Sequence, residues 1–247
     1  LQVIGHGTEQ AEELLKGRFP DARILRVDRE TASAEEAAAA MRQLDEGGLD
    51  IVLGTQILIK SSAFSKPALA ALLNADNSFH RPDFRAGEKA FQLTAQVRSL
   101  AGGGEVWIQT HHPAHHGIAW VVSGKKEEFY QMELAQRKAM SYPPFMRLAV
   151  VTVKALRESE ADAAAQKFSE ALRSAIPPGR SEELAVLGPA PAPQPRLREK
   201  FRRQILVKAA GPRLLQRSLS SALEAVRSGR GGPRVWYEVD VDPLRMT

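Results

Sequence analysis

Four histidines fall within six residues, at His111, His112, His115 and His116, and two imidazoles four apart on a helix can hold zinc. The surroundings argue against it. No carboxylate follows at ligand spacing and Pro113 breaks the register where a helix would start, so these side chains are expected to cap or to meet solvent, and no metal is expected. His6 lies in Gly5-His6-Gly7-Thr8, where N–H groups at a helix start can receive an anion, although a short glycine turn is usually only a turn. No phosphate-binding Gly-Lys-Ser/Thr loop, serine-nucleophile elbow or paired-carboxylate arrangement stands out. The strongest chemical signal is charge. Between Gln194 and Arg217 stand Arg196, Arg198, Lys200, Arg202, Arg203, Lys208, Arg213 and Arg217 against the single acid Glu199. That is an excess of seven in a chain whose net charge is +5, so the remainder carries −2. On an extended segment Arg196, Arg198, Lys200 and Arg202 point one way, a rail able to face phosphates, with Phe201 and Arg203 on the other side. Protecting a sheet edge needs charge of either sign, whereas this stretch, after the stiff run from Pro189 to Pro195, sets repelling charges together. The pattern favours contact with a nucleic acid or an acidic peptide.

These groups need a frame, and the composition supplies one. The 247 residues are 43% hydrophobic, 26% charged and 6% aromatic, which excludes disordered and fibrous classes. With no Cys there are no disulfides, thiolate metal sites or cysteine nucleophiles, as suits a reducing cytoplasm. No apolar run reaches the roughly 20 residues of a membrane span, and LQVIGHGTEQ lacks the basic and apolar regions of a leader, so a soluble, unexported, cytoplasmic protein is expected. Leu1 is not an initiator Met, and an excised or processed chain is expected.

The elements change order along the chain. Over residues 1–110, strands Leu1 to Ile4, Arg23 to Val27, Asp50 to Leu53, Leu69 to Leu73 and Glu105 to Gln109 alternate with helices, the pattern of a helix-covered parallel sheet. The helices are Glu9 to Phe19, with Ala11, Leu14, Leu15 and Phe19 on one face, then Ala34 to Leu44 behind the capping box of Ser33 and Glu36, and Phe84 to Leu100. Residues 111–145 read as a helical connector. Residues 146–247 then run strand (Leu148 to Lys154), helix (Ser159 to Ile176), strand (Leu184 to Leu187), strand (Phe201 to Ala209), helix (Arg213 to Arg227), strand (Arg234 to Asp240), the split βαβ, ferredoxin-like order. The residues by themselves thus specify a two-domain α/β protein with a basic strip.

Ordered blocks add an identity to that frame. Gly54-Thr55-Gln56-Ile57-Leu58-Ile59-Lys60, Pro82 to Glu88 with Phe91-Gln92-Leu93, and Gln109-Thr110-His111-His112-Pro113 resemble the primosomal protein N′ (PriA) family of bacterial replication-restart DNA helicases. Glu133-Leu134 with Arg137, Tyr142-Pro143-Pro144-Phe145, Leu187-Gly188-Pro189, Phe201-Arg202 with Gln204, and Asp240-Val241-Asp242-Pro243 continue the resemblance in family order over nearly the whole chain. It implies that residues 1–110 are most of a second RecA-like helicase lobe and that residues 146–247 are a C-terminal DNA-binding domain. It also implies that the family's ATP, Mg and Zn sites lie upstream, so no cofactor is expected within this chain.

The departures from the family pattern bear on mechanism. A Lys-Gly-His-Asp-Phe stretch that couples nucleotide to DNA in the family reads Lys60-Ser61-Ser62-Ala63-Phe64 here. The block Gln-Val-Ala-Gly-Arg-Ala-Gly-Arg, which brings arginines to the ATP phosphates, reads Gln96 to Gly103 with Leu100 and Gly103 at the two arginine positions. Gly54, Thr55, Gln56, Lys60 and Gln96 are then remnants of nucleotide motifs. An arginine aimed at developing phosphate charge contributes about 10³ to 10⁵ in rate, and neither Leu nor Gly replaces it. Arg98 is two residues too early, about 200° around a helix. The resemblance therefore implies a cytoplasmic, nucleoid-associated protein that binds stalled, forked or single-stranded DNA without efficient ATP hydrolysis, and the charge pattern offers Arg196, Arg198, Lys200, Arg202 and Arg203 for the phosphates. Arg213, Gln216 and Arg217 would dock an acidic tail such as that of single-stranded-DNA-binding protein, beside other primosome proteins, with no membrane partner. The alternative is an active ATP-dependent 3′ to 5′ DNA helicase of the same family.

Overall fold

The structure, a computed structural model, describes residues 7–28, 32–61, 67–79, 83–176, 182–227 and 234–246. The expected strand Leu1 to Ile4, Gly5 and His6 of the first turn, and Ser62 to Phe64 lie outside the described residues. The chain divides into two units, Leu1–Arg81 with Gly87–Phe129, and Pro82–Ala86 with Tyr130–Thr247.

Parallel strands need a crossover rather than a tight turn, and in the first unit helices provide it. After α1 (Thr8–Arg18), β1 (Ile24–Val27) crosses through α2 (Ala34–Asp45) to β2 (Ile51–Gly54), which lies parallel to it with Val27 beside Gly54. The capping box forms as its residues dictate: Glu36 N donates to Ser33 Oγ at 3.2 Å and Ser33 N to Glu36 Oε2 at 2.6 Å. Ala37 and Ala40 then pack on Val27, with Val52, Ile57 and Leu58 closing the cluster. On α1 the outcome differs from the expected apolar face, since Leu14 is 62% and Phe19 50% exposed. Periodicity made the helix there without deciding its burial.

A second parallel pair, β3 (Leu69–Leu72) with β4 (Glu105–Ile108), is bridged by α4 (Asp76–Phe79) and α5 (Ala86–Leu100). Neither α4 nor α3 (Ile57–Ser61) was expected, because one turn is too short to show a 3.6-residue period. The histidine-rich stretch leads into α6 (His116–Ser123) and then α7 (Lys126–Ala139). Phe91 and Phe129 stack with centroids 4.0 Å apart, and Trp120 meets Phe129 edge-on.

In the second unit β5 (Arg147–Ala155), β6 (Leu184–Leu197), β7 (Lys200–Ala209) and β8 (Val235–Val241) form one antiparallel sheet in the order β6-β7-β5-β8. Helices α8 (Glu158–Ser174) and α9 (Pro212–Arg227) complete the β-α-β-β-α-β order. Phe168 and Leu172 of α8 with Leu215 and Leu219 of α9 pack on Val151, Val153, Ile205 and Val207. Alternation along β5 and β7 places those four residues on one face. The other face of β5 is closed as well, with Leu148, Val150 and Thr152 all buried, which is why this strand reads as a nearly unbroken apolar run.

Strand β6 is longer than the expected Leu184 to Leu187. The proline run is part of it, with register shifts between Leu187 and Ala190 and between Pro191 and Arg196. A fixed φ suits extended backbone, and on an edge strand the missing N–H need not break a ladder. Elsewhere in this unit Phe84 stacks on Tyr142 at 5.0 Å beneath Arg137, whose guanidinium pairs with Glu133 at 2.8 Å. Among the described residues no helix is long and apolar enough to cross a membrane.

Candidate nucleic-acid interface

The expected cationic rail is folded back on itself. Arg198 and Glu199 take left-handed φ values of 48° and 60°, forming a two-residue turn that sets Arg196 opposite Phe201 and Leu197 opposite Lys200. Directly opposed residues of antiparallel strands share a face, so Arg196 lies on the side of Phe201 and Arg203, while Lys200 and Arg202 lie on the other. A single line from 196 to 202 is thereby replaced by a hairpin carrying cations on both faces and at its tip, because the turn inverts the chain between them.

The individual placements differ sharply. Arg196 Nη2 meets Glu199 Oε2 at 2.6 Å with side chains 56% and 83% exposed, a pairing of little net strength that a phosphate can replace. Arg198 is exposed at the tip. Lys200 Nζ stands 3.8 Å from the centroid of Trp236, and Arg202 Nη1 donates to Gln194 O at 3.5 Å. Arg203 requires a correction: its side chain is 7% exposed, Nη2 reaches Glu158 Oε1 at 2.8 Å and Asp162 Oδ2 at 3.0 Å, and Nε also donates to Asp162. The Asp162 and Glu158 carboxylates raise its pKa further. The bond network ties α8 to β7, so Arg203 is withdrawn from the phosphate-contacting set. Lys208 is withdrawn from the surface strip likewise, since its Nζ donates to Met140 O at 2.7 Å beneath Tyr142 and burial lowers its pKa. Arg203→Met should therefore lower stability by about 1–3 kcal/mol, read by urea unfolding, and leave DNA affinity unchanged. A loss of affinity in a variant of normal stability would return Arg203 to the interface.

A pocket of about 710 Å³ opens between the end of α8 and the start of α9. Arg213 and Arg217, one helical turn apart, line it together with Leu214, Ala175, Ser218 and Glu183. Gln216 is exposed and is not among its lining residues. Two guanidinium groups over an apolar floor suit a carboxylate attached to an apolar side chain, with Glu183 as the opposing charge.

In the first unit Gly54, Thr55, Gln56 and Lys60 sit on one segment and Gln96 on α5. Gly54 ends β2 where a Cβ would lie 2.2 Å from Val27 O, so only glycine fits there. Thr55 and Gln56 form the exposed bend into α3, which carries Lys60. Ile59 of α3 packs on Val97 and Ala101, bringing this segment against the helix that bears Gln96 and Leu100. Gln96 is exposed, Leu100 is the last residue of α5, and Gly103 is exposed at φ +107° in the following turn. Arg98 is already engaged: its Nη1 donates to Val121 O at the end of α6, where cationic donors complement free carbonyls.

His111 and His112 meet a carboxylate, Asp76, that no motif marks. Asp76, 6% exposed, receives His111 N at 2.9 Å, Thr110 Oγ1 at 3.0 Å and His112 Nδ1 at 2.9 Å. The His112 hydrogen bond first, and the His111 N–H after it, hold the Asp76 carboxyl far below the usual carboxylate range. The only hint in the sequence was an acid following a strand, which is too common to select. His115 Nδ1 accepts from Gly117 N and caps α6, as expected of a capping histidine. Among the described residues no three acidic or imidazole groups converge as a metal site would require.

Comparison with known proteins sets this geometry in context. Residues 138–244 match the family model described as the primosomal protein N C-terminal domain. The chain is similar to the replication restart protein PriA of Bacillus subtilis (strain 168), at 34% identity over 251 residues, covering 100% of this chain and 31% of that protein. It is similar to the protein of that name from Treponema pallidum (strain Nichols), at 36% identity with 98% and 36% covered. The same holds for that of Chlamydia pneumoniae, at 32% with 99% and 32% covered. The chain spans about a third of the length of these relatives.

Proposed function

This chain belongs to the primosomal protein N′ (PriA) family, and we propose on that premise that it serves replication restart by gripping stalled, branched DNA without efficient motor activity. The observation that carries the grip is the hairpin, whose Arg196 and Arg198 are exposed, with half-buried Lys200 and Arg202 behind them. Arginine and lysine at such a tip neutralise backbone phosphates and release counterions, giving affinity that falls with salt and reads little sequence. Titration of forked DNA into the intact protein tests this, and no binding at low salt overturns it.

The fold is read in the same light. Parallel pairs joined by crossover helices support a RecA-like lobe in the first unit, and the order β6-β7-β5-β8 with both helices on one face supports a ferredoxin-like domain in the second. Nucleotide chemistry is proposed to be impaired because Leu100 and Gly103 bring no guanidinium and Arg98 is held at α6. ATP, Mg and Zn, where the whole protein uses them, are proposed to be bound outside this chain. The partners proposed are DNA, other primosome proteins and the acidic tail of single-stranded-DNA-binding protein, in the bacterial cytoplasm at the nucleoid.

The pocket of Arg213 and Arg217 supports the last of these. A labelled acidic peptide ending in a carboxylate should bind, and Arg213→Glu with Arg217→Glu should weaken it about tenfold or more, since charge-assisted bonds are replaced by repulsion. Fluorescence polarisation reads the result, and unchanged binding places the peptide elsewhere.

A further inference from the structure

On the helix-free face of the second unit's sheet, Gln204 Nε2 donates to Met246 O at 3.1 Å. In the next row toward the hairpin, Arg202, Lys154 and Trp236 stand directly opposite one another across β7, β5 and β8, and none of the three is buried. Because opposed residues share a face, all three lie on the side away from α8 and α9. Lys200 reaches the same indole, with Nζ 3.8 Å from its centroid, and the Arg234 guanidinium lies 5.8 Å from it. Glu238, the neighbouring acid on this face, is paired with Lys154.

Charges alone would suffice to keep a sheet face soluble. A partly exposed indole among them does the opposite, since it leaves apolar surface in water that burial would remove. A ligand with flat faces and regularly spaced negative charges satisfies both kinds of group at once. An acidic peptide offers the charges without the flat faces, and duplex DNA keeps its base faces inside the stack. We infer that Trp236 is a stacking platform for an unpaired base of single-stranded DNA, with Lys200, Arg202 and Arg234 receiving the flanking phosphates. The inference rests on the DNA-binding reading above and adds the strand state to it. Lys200 does not block the ring: a water-accessible ammonium–ring contact is weaker than base–aromatic stacking, so an arriving base displaces it toward a phosphate.

The test measures anisotropy of a fluorescent oligothymidylate and of a blunt duplex of equal length with the intact protein. Trp236→Ala should weaken single-strand binding about tenfold and leave duplex affinity within about twofold, while Trp236→Phe restores most of the loss. Equal weakening of both DNAs by Trp236→Ala overturns the platform, as does failure of rescue by a folded Trp236→Phe. If Trp236→Ala changes nothing while Arg196→Glu with Arg198→Glu weakens binding, the platform falls and the DNA-binding reading stands. If the unaltered protein binds neither DNA at low salt, both fall together.

Discussion

The intact protein should hydrolyse ATP at least about 10³-fold more slowly, under DNA stimulation, than a relative carrying both arginines of the second-lobe block. On the reading proposed above, the physical ground is that Leu100 and Gly103 stand where a guanidinium would meet the negative charge that develops in phosphoryl transfer. Leu100 closes α5 with an aliphatic side chain, and Gly103 follows in the exposed turn with none. The nearest cation on that helix, Arg98, already donates to Val121 O. The turn itself resists reversal, because Gly103 has φ +107°, where a side chain costs about 1–3 kcal/mol. Leu100→Arg with Gly103→Arg should therefore lower the melting temperature. Phosphate release measured on the unaltered protein decides the matter, and turnover equal to that of the arginine-bearing relative overturns the prediction.

Reversing the hairpin tip should have the second largest effect. Arg196→Glu with Arg198→Glu converts two attractive contacts into repulsive ones, beside Glu199, and should reduce affinity for forked DNA on the order of 100-fold at low salt. The slope of log affinity against log salt should shrink by about 1.4–1.8, the share of two phosphate contacts at roughly 0.7–0.9 each. Arg203→Met supplies the contrast, since its bonds run to Glu158 and Asp162 inside the domain. Both arginines of the tip are exposed, so the double variant should keep its stability. An unchanged slope would place the DNA elsewhere on the protein.

Local signals were legible where one kind of interaction sufficed. Ser33 and Glu36 announced the start of α2, and β-rich runs bounded by turn residues located the described strands to within a few residues, apart from β6. That exception is instructive. Pro189 to Pro195 looked like the end of a strand because proline lacks a donor, yet an edge strand with shifted register tolerates the loss. Charge was visible as composition but not as surface. Arg203 and Lys208 looked like members of the same strip as Arg196 until their partners, 45 and 68 positions away in the chain, came into view. Asp76 was invisible for the same reason, since its value lies in His111 and His112, 35 and 36 residues later.

The amino-acid order alone determined the family, the longer helices and most of the strands, because each of these is a property of neighbours along the chain. Tertiary structure alone decided which cations remain in water, that the rail is a hairpin, and that Trp236 meets Lys200 and Arg234. Burial and cross-strand pairing depend on the whole sheet, which brings Lys200 of β7 to Trp236 of β8 and sets which side chains it covers.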